Sequence, residues 1–178
     1  MNTQHILVPI DFGDCTHGLV EQASGLAARL EARLTLLHVT DPPPGLAELE
    51  FQGGEGGKRS GQELLDDEAH DRLRGYAALA EQAGVDVTTR VVHGEPAERI
   101  LLGASNLDAD LLVMGTHGRR GLARLVLGSV AETVLRESPI PVVTVRTKHR
   151  PECEAASCAT CATHVTPAMK RVQAEMDG

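Results

Sequence analysis

Aromatic side chains are almost absent from this chain of 178 residues, which has no tryptophan, one tyrosine and two phenylalanines. Its 42% apolar fraction must therefore build an aliphatic core of Val, Leu, Ile and Ala. Such a core suits a parallel sheet covered by helices, whose strands read as unbroken aliphatic runs. Long apolar runs are missing too. No window approaches the roughly 20 apolar residues that a spanning helix needs, so no membrane insertion is expected. There is no basic excess: 17 Lys and Arg stand against 25 Asp and Glu, a formal charge of −8. That balance argues against a nucleic-acid partner, which would require a basic face. The start, Met1-Asn2-Thr3-Gln4-His5, lacks the basic region and small-residue cleavage site of a secretory signal. A cytoplasmic location is expected, with the four cysteines as reduced thiols or metal ligands.

What is present alternates between two periods. Ile6-Leu7-Val8-Pro9-Ile10-Asp11 reads as a buried strand, followed by helical spacing at Leu19, Ala23, Leu26, Ala27 and Leu30. Leu34–Val39 reads as a second strand, stopped by Pro42-Pro43-Pro44. The stretch 41–61 carries five glycines in its second half and little period, and reads as a mobile surface excursion. Its Gly56-Gly57-Lys58-Arg59-Ser60 is no P-loop: Gln52 stands where the first glycine belongs, and Arg59 where Ser or Thr belongs. Leu65, Ala69, Leu73, Tyr76 and Ala80 mark a helix over 63–83, ended by Gly84. Val85–Val92 is a third strand. Gly94-Glu95-Pro96 starts a helix with Ile100, Leu101 and Ala104 inward. Leu111–Met114, a helix from Ser129 to about Arg136, and Ile140–Val145 complete a β-α-β-α-β-α-β-α-β order. The expected fold is α/β: an open five-stranded parallel sheet with helices on both faces, strand order 3-2-1-4-5, Rossmann-like. Residues 1–148 form the domain and 149–178 a C-terminal tail of different character.

The loop 115–128 carries the chemistry. It holds Gly115, Gly118, Gly121 and Gly128, three arginines (Arg119, Arg120 and Arg124) and no acid. Glycines let backbone N–H groups approach an anion, and the helix start at Ser129 adds unpaired donors and the positive end of a dipole. Ser129-Val130-Ala131-Glu132 equally fits a capping box, with Ser129 and Glu132 satisfying each other's backbone donors. In a sheet of this order a ligand sits beyond the carboxyl ends of strands one and four, where the order reverses. Asp11 ends strand one and Met114-Gly115 ends strand four. Asp11 either accepts hydrogen bonds from a ribose or base edge or caps the following helix. His117 reads as a solvated loop residue, and His38 and His93 as strand ends.

The spacing Gly-x2-Gly-x9-Gly-Ser at Gly115, Gly118, Gly128 and Ser129 resembles the ATP-binding signature of the universal stress proteins. The resemblance runs from about residue 4 to 146. It takes in Val8–Asp11, Leu37-His38-Val39, Val92–Pro96 and Pro141–Val145. It implies a fold like that of the adenine nucleotide alpha-hydrolases and a nucleotide-dependent stress-response regulator. It also implies ATP, with or without Mg2+, as ligand. Pro9, Ile10, Asp11 and Val39 would surround adenine and ribose, and Met114-Gly115 would lie at the ribose. Gly118, Arg119, Gly128, Ser129 and Val130 would hold the phosphates. It further implies a homodimer paired through the fifth strand, where Val142, Val143 and Val145 make an apolar edge that needs a cover. No dedicated catalysis is indicated: Asp11 is a lone acid, and phosphoryl transfer needs positioned metal ligands. The rival readings are a slow nucleotide-hydrolysing enzyme and a redox- or zinc-responsive scaffold. The last would use Cys153, Cys158, Cys161 and His164 in the tail, four ligands of the kind zinc takes. Cys15 reads as packing.

Overall fold

The computed structural model describes residues 3–13, 15–42, 44–52, 57–116 and 128–146. Their elements run β1 (His5–Ile10), α1 (Thr16–Leu30), β2 (Arg33–Thr40), β3 (Glu50–Gln52), β4 (Lys58–Ser60), α2 (Gly61–Gln82), β5 (Val87–His93), α3 (Pro96–Asn106), β6 (Leu111–Gly115), α4 (Ser129–Glu137) and β7 (Val142–Val145). Five strands form one parallel sheet in the order β5-β2-β1-β6-β7, which is the expected 3-2-1-4-5. The chain leaves β1 for β2 on one side and returns to β6 on the other, so the order reverses between β1 and β6.

Side chains alternate across the sheet and divide the core into two layers. Ile6, Val8, Leu34, Leu36 and Val113 pack with Leu19, Val20 and Ala23 of α1 and Leu73, Tyr76 and Ala80 of α2. Leu7, Leu37, Leu112 and Met114 pack on the other face with Ile100 and Ala104 of α3 and Ala131 and Val134 of α4. Covered on both faces, the central strands β1 and β2 are buried almost throughout. Each leucine or isoleucine buried this way contributes roughly 1.5–3 kcal/mol. Leu30 departs from the expected stripe: it ends α1 and is 40% exposed.

Two further departures have local causes. The stretch 41–61 is not wholly irregular, because β3 and β4 pair as an antiparallel ribbon and Lys58 forms an ion pair with Glu50. That ribbon sits on the start of α2, where the Gly61 N–H donates to the Leu49 carbonyl at 2.8 Å. A Cβ on Gly61 would lie 2.0 Å from the Leu46 carbonyl oxygen, so only glycine allows this approach. Ser60 and Glu63 then form a capping box for α2. His38, expected to end its strand, lies inside β2 and is buried.

A buried polar chain crosses the amino end of the sheet. His5 Nδ1 lies 2.9 Å from the Leu107 carbonyl and Nε2 lies 2.8 Å from Thr35 Oγ1, which in turn meets Thr88 Oγ1 at 2.9 Å. Arg33 also approaches Nδ1, at 3.2 Å. The shorter carbonyl contact assigns the proton to Nδ1, which leaves Nε2 to accept from Thr35 and makes the Arg33 approach purely electrostatic. Burial above all, then Arg33, pushes the His5 pKa below its ordinary 6.5. The unfolded chain thus takes up this proton first, and stability is lost as pH falls through 6.5. Asp110 acts in the same direction at lower pH. Its Oδ2 accepts the N–H groups of Gln4 and His5, which holds its pKa below 3.8. Thermal melts between pH 7.5 and 5 are therefore expected to show a falling midpoint that flattens in His5→Gln; equal slopes in the two proteins would remove His5 from this account.

Candidate functional site at the carboxyl end of the sheet

Where the order reverses, each strand hands the chain to a helix on a different face. After β1 come Asp11, Phe12 and Gly13, then α1. Asp11 Oδ1 accepts the Gly13 N–H at 3.0 Å and the Thr16 hydroxyl at 3.4 Å. The acid therefore shapes the turn that leads into α1, while the N-cap position of that helix falls to Cys15. After β6, the Thr116 carbonyl accepts the Gly128 N–H at 3.1 Å, so the two ends of the 117–127 segment meet beside the strand end. That segment, with Gly118, Arg119 and the other loop residues His117, Arg120 and Arg124, lies outside the described residues.

The capping box expected between Ser129 and Glu132 is not formed. Gly128, extended at φ −62° and ψ 146°, is the N-cap, and Ser129 is already the first helical residue. A box would need its partners at 128 and 131, and Gly128 has no side chain to offer. The Glu132 N–H instead donates to the Gly128 carbonyl at 2.9 Å. The consequence distinguishes α4 and α1 from the other helices. Side chains cap α2 (Ser60) and α3 (Glu95, accepting the Glu98 N–H at 2.7 Å). Among the described residues, the N-cap residues of α1 (Cys15) and α4 (Gly128) give no side-chain cap, and these are the two helices that begin at the β1 and β6 ends. The first N–H groups of any helix lack intrahelical acceptors, and a helix start with its dipole end suits an anion.

Of the residues expected at the site, Val39, Met114 and Val130 pack in the layer of α3 and α4. By strand alternation Pro9 and Asp11 share that face, and Gly115, Gly128 and Ser129 border it. Ile10 does not. Its side chain lies in the opposite layer, so only its backbone reaches the carboxyl end, and there the Ile10 carbonyl accepts from His38 Nδ1 at 2.6 Å. Cys15 precedes α1 and is half-buried.

The sequence reading missed a cluster behind Asp11. Phe12 has a left-handed backbone, φ 59°. Its ring centroid lies 4.1 Å from that of His38 and 6.2 Å from that of Tyr76. The Arg72 guanidinium lies over the ring at 4.2 Å and donates to the Phe12 carbonyl at 3.1 Å. A signal was available: in a chain with three aromatic residues, one of them directly follows the candidate acid. Further along this end, His93 lies 2.6 Å from Thr40 Oγ1 and 3.4 Å from the Asp66 carboxylate, tying α2 to the sheet edge.

A concavity of about 800 Å³ opens at the amino end of the sheet, with His5 and Arg33 beside Glu31, Asp86, Asp108 and Asp110. Four carboxylates make it a poor place for phosphate, and it lies away from the switch point. Among the described residues, no three His, Cys, Asp or Glu side chains converge as metal ligands. Cys153, Cys158, Cys161 and His164 lie outside the described residues. No described helix is long and apolar enough to cross a membrane.

Comparison with known proteins gives one answer. The profile of the Universal stress protein family matches residues 2–146. Universal stress protein MJ0531 of Methanocaldococcus jannaschii is 35% identical over 143 residues, 79% of this chain and 81% of that protein. The structure of UspA from Lactobacillus plantarum superposes with a TM-score of 0.67 at 27% identity, covering 81% of this chain and 98% of that one. A universal stress protein solved in complex with cAMP superposes at 0.61 and 28% identity, over 82% of this chain and 98% of that one.

Proposed function

Because this chain belongs to the universal stress protein family, we propose that it is a nucleotide-dependent regulator that binds ATP across the carboxyl ends of β1 and β6. The observation that carries the reading is the pair of helices without side-chain caps, α1 and α4, starting on either side of Asp11. Helix-start N–H groups suit phosphate oxygens, Asp11 suits a ribose hydroxyl or a base amine, and Val39, Met114 and Val130 supply an apolar wall. The relative bound to cAMP supports an adenine nucleotide as the ligand class. Loop 115–128 contains no acid, so any Mg2+ would be held chiefly by the phosphates themselves. The activity proposed is binding, with loop ordering as the output. The edge strand β7, with Val143 39% exposed, supports pairing of two chains through that strand.

Amide chemical-shift mapping during a titration with Mg-ATP tests the location. The expected result is movement at Asp11, Val39, Gly115, Ser129 and Val130. Movement confined to His5, Arg33 and Asp86 would transfer the ligand to the opposite end of the sheet and overturn the assignment.

A further inference from the structure

We propose that Arg72 and Phe12 are positioning residues: Arg72, from α2, clamps the Phe12 turn and thereby fixes the carboxylate of Asp11 for the nucleotide. The residues concerned lie behind the site, on the far face of the sheet, and none of them needs to touch the ligand.

The argument begins with an unfavourable conformation. A left-handed backbone at a non-glycine residue is unfavourable, and bulky side chains rarely adopt it. Phe12 adopts it at φ 59°, next to the acid. Such strain persists only where the surroundings over-determine it, and here the holding groups can be named. The Phe12 ring is gripped on the α2 side, with His38 4.1 Å and Tyr76 6.2 Å away between centroids. Arg72 acts twice on one residue, by its charge over the ring at 4.2 Å and by a hydrogen bond to the Phe12 carbonyl at 3.1 Å. A planar guanidinium can stack and donate together, whereas a compact ammonium does so poorly. On the other flank of Asp11, the Ile10 carbonyl is held by His38 Nδ1 at 2.6 Å.

Both neighbours of the acid are thus fixed from the α2 side, and the acid itself is turned toward Gly13 and Thr16. The geometry makes a prediction about coupling. Arg72 should matter to nucleotide binding only through Asp11, because a clamp on the turn transmits nothing to a ligand that no longer uses the carboxylate.

The binding arm of this inference rests on the nucleotide reading above; a second arm, in the ligand-free protein, does not. In that second arm, hydrogen exchange is followed at the Gly13 amide, which is bonded to Asp11 Oδ1 at 3.0 Å. Arg72→Gln is expected to speed exchange at Gly13 by about tenfold, the factor that corresponds to a coupling of about 1.4 kcal/mol. Exchange in the cores of β1 and β2 should be unchanged. Phe12→Leu, which keeps an apolar side chain but removes the ring under the charge, should behave in the same way. Unchanged exchange at Gly13 in both variants would overturn the clamp, whatever the ligand.

In the binding arm, Arg72→Gln is expected to weaken Mg-ATP about tenfold in the natural background and less than about twofold in Asp11→Asn. Equal losses in the two backgrounds would mean that Arg72 acts independently of Asp11, and the inference would be wrong. If the natural protein bound no nucleotide, the functional reading would fall by itself, and the exchange experiment would still decide whether the clamp exists.

Discussion

A Gly118→Glu/Ser129→Asp double variant is expected to lose Mg-ATP binding by at least about a hundredfold while keeping its melting temperature. The loss follows from electrostatics. A unit charge about 4 Å from another interacts by roughly 1 kcal/mol in water and 4 kcal/mol at a partly buried protein surface. If the proposed site holds the phosphates at the start of α4, two carboxylates added there remove more than the roughly 2.7 kcal/mol that a hundredfold change represents. The unchanged melting temperature follows from the start of α4. Ser129 is exposed at the first helical position and makes no capping bond. An acid there is favourable to the helix dipole. A fold lost along with the ligand would make the result uninformative, and the position of Ser129 argues against that. Retained binding in a folded double variant would mean that the start of α4 does not hold the phosphates.

The second large effect concerns the core. Leu36→Ala should destabilise the protein by roughly 2–5 kcal/mol, the range for a buried leucine whose site cannot collapse. For a chain of this size that is a drop on the order of 10 °C in melting temperature. Leu36 is fully buried in the layer between the sheet and α1 and α2, one strand from the centre. Its neighbours there are mostly aliphatic side chains held by α1, α2 and the strands of the sheet. No large aromatic ring lies free to swing into the space. The chain has almost none, and the ring of Tyr76 is already engaged with Phe12. Leu102→Ala is the control. It sits on α3 with 41% of its surface exposed and should shift stability by no more than about 0.5 kcal/mol. Equal midpoints for the two variants in chemical denaturation would contradict the two-layer core.

The fold was legible because its signals are redundant. Five aliphatic runs separated by helical spacing admit few topologies once crossovers are right-handed, and Gly84 and Pro96 mark helix boundaries as expected. The failures are local and physically consistent with one another. Ser129-x2-Glu132 and Ser60-x2-Glu63 carry the same spacing, yet only the second becomes a capping box. The difference is the preceding backbone: Gly128 takes the cap position of α4, whereas the β3–β4 ribbon delivers Ser60 to that of α2. The ribbon itself was hidden because its strands are short and exposed, with no alternation to detect. Leu30 fits the helical spacing but, as the last residue of α1, is half exposed, because spacing does not reveal where the covering surface stops.

At the site, the strand ends and the start of α4 could be read from spacing, since glycines after a strand carry their own meaning. The left-handed turn at Phe12 could not. A phenylalanine has no local preference for it, and Arg72, which holds it, comes from α2, 60 positions later in the chain. The groove at the amino end was invisible for a related reason. It gathers residues from the start of β1, the end of α1 and the turns at 84–86 and 108–110, which no sequence window brings together.

Calorimetric titration of the natural protein, freed of carried-over nucleotide, with Mg-ATP tests the central claim most directly. The account predicts saturable binding of one nucleotide per chain with a dissociation constant of roughly micromolar order, about −8 kcal/mol. No heat of binding and no stabilisation at millimolar Mg-ATP would contradict it. The glycines of the 115–128 loop would then serve the turn into α4 and nothing more.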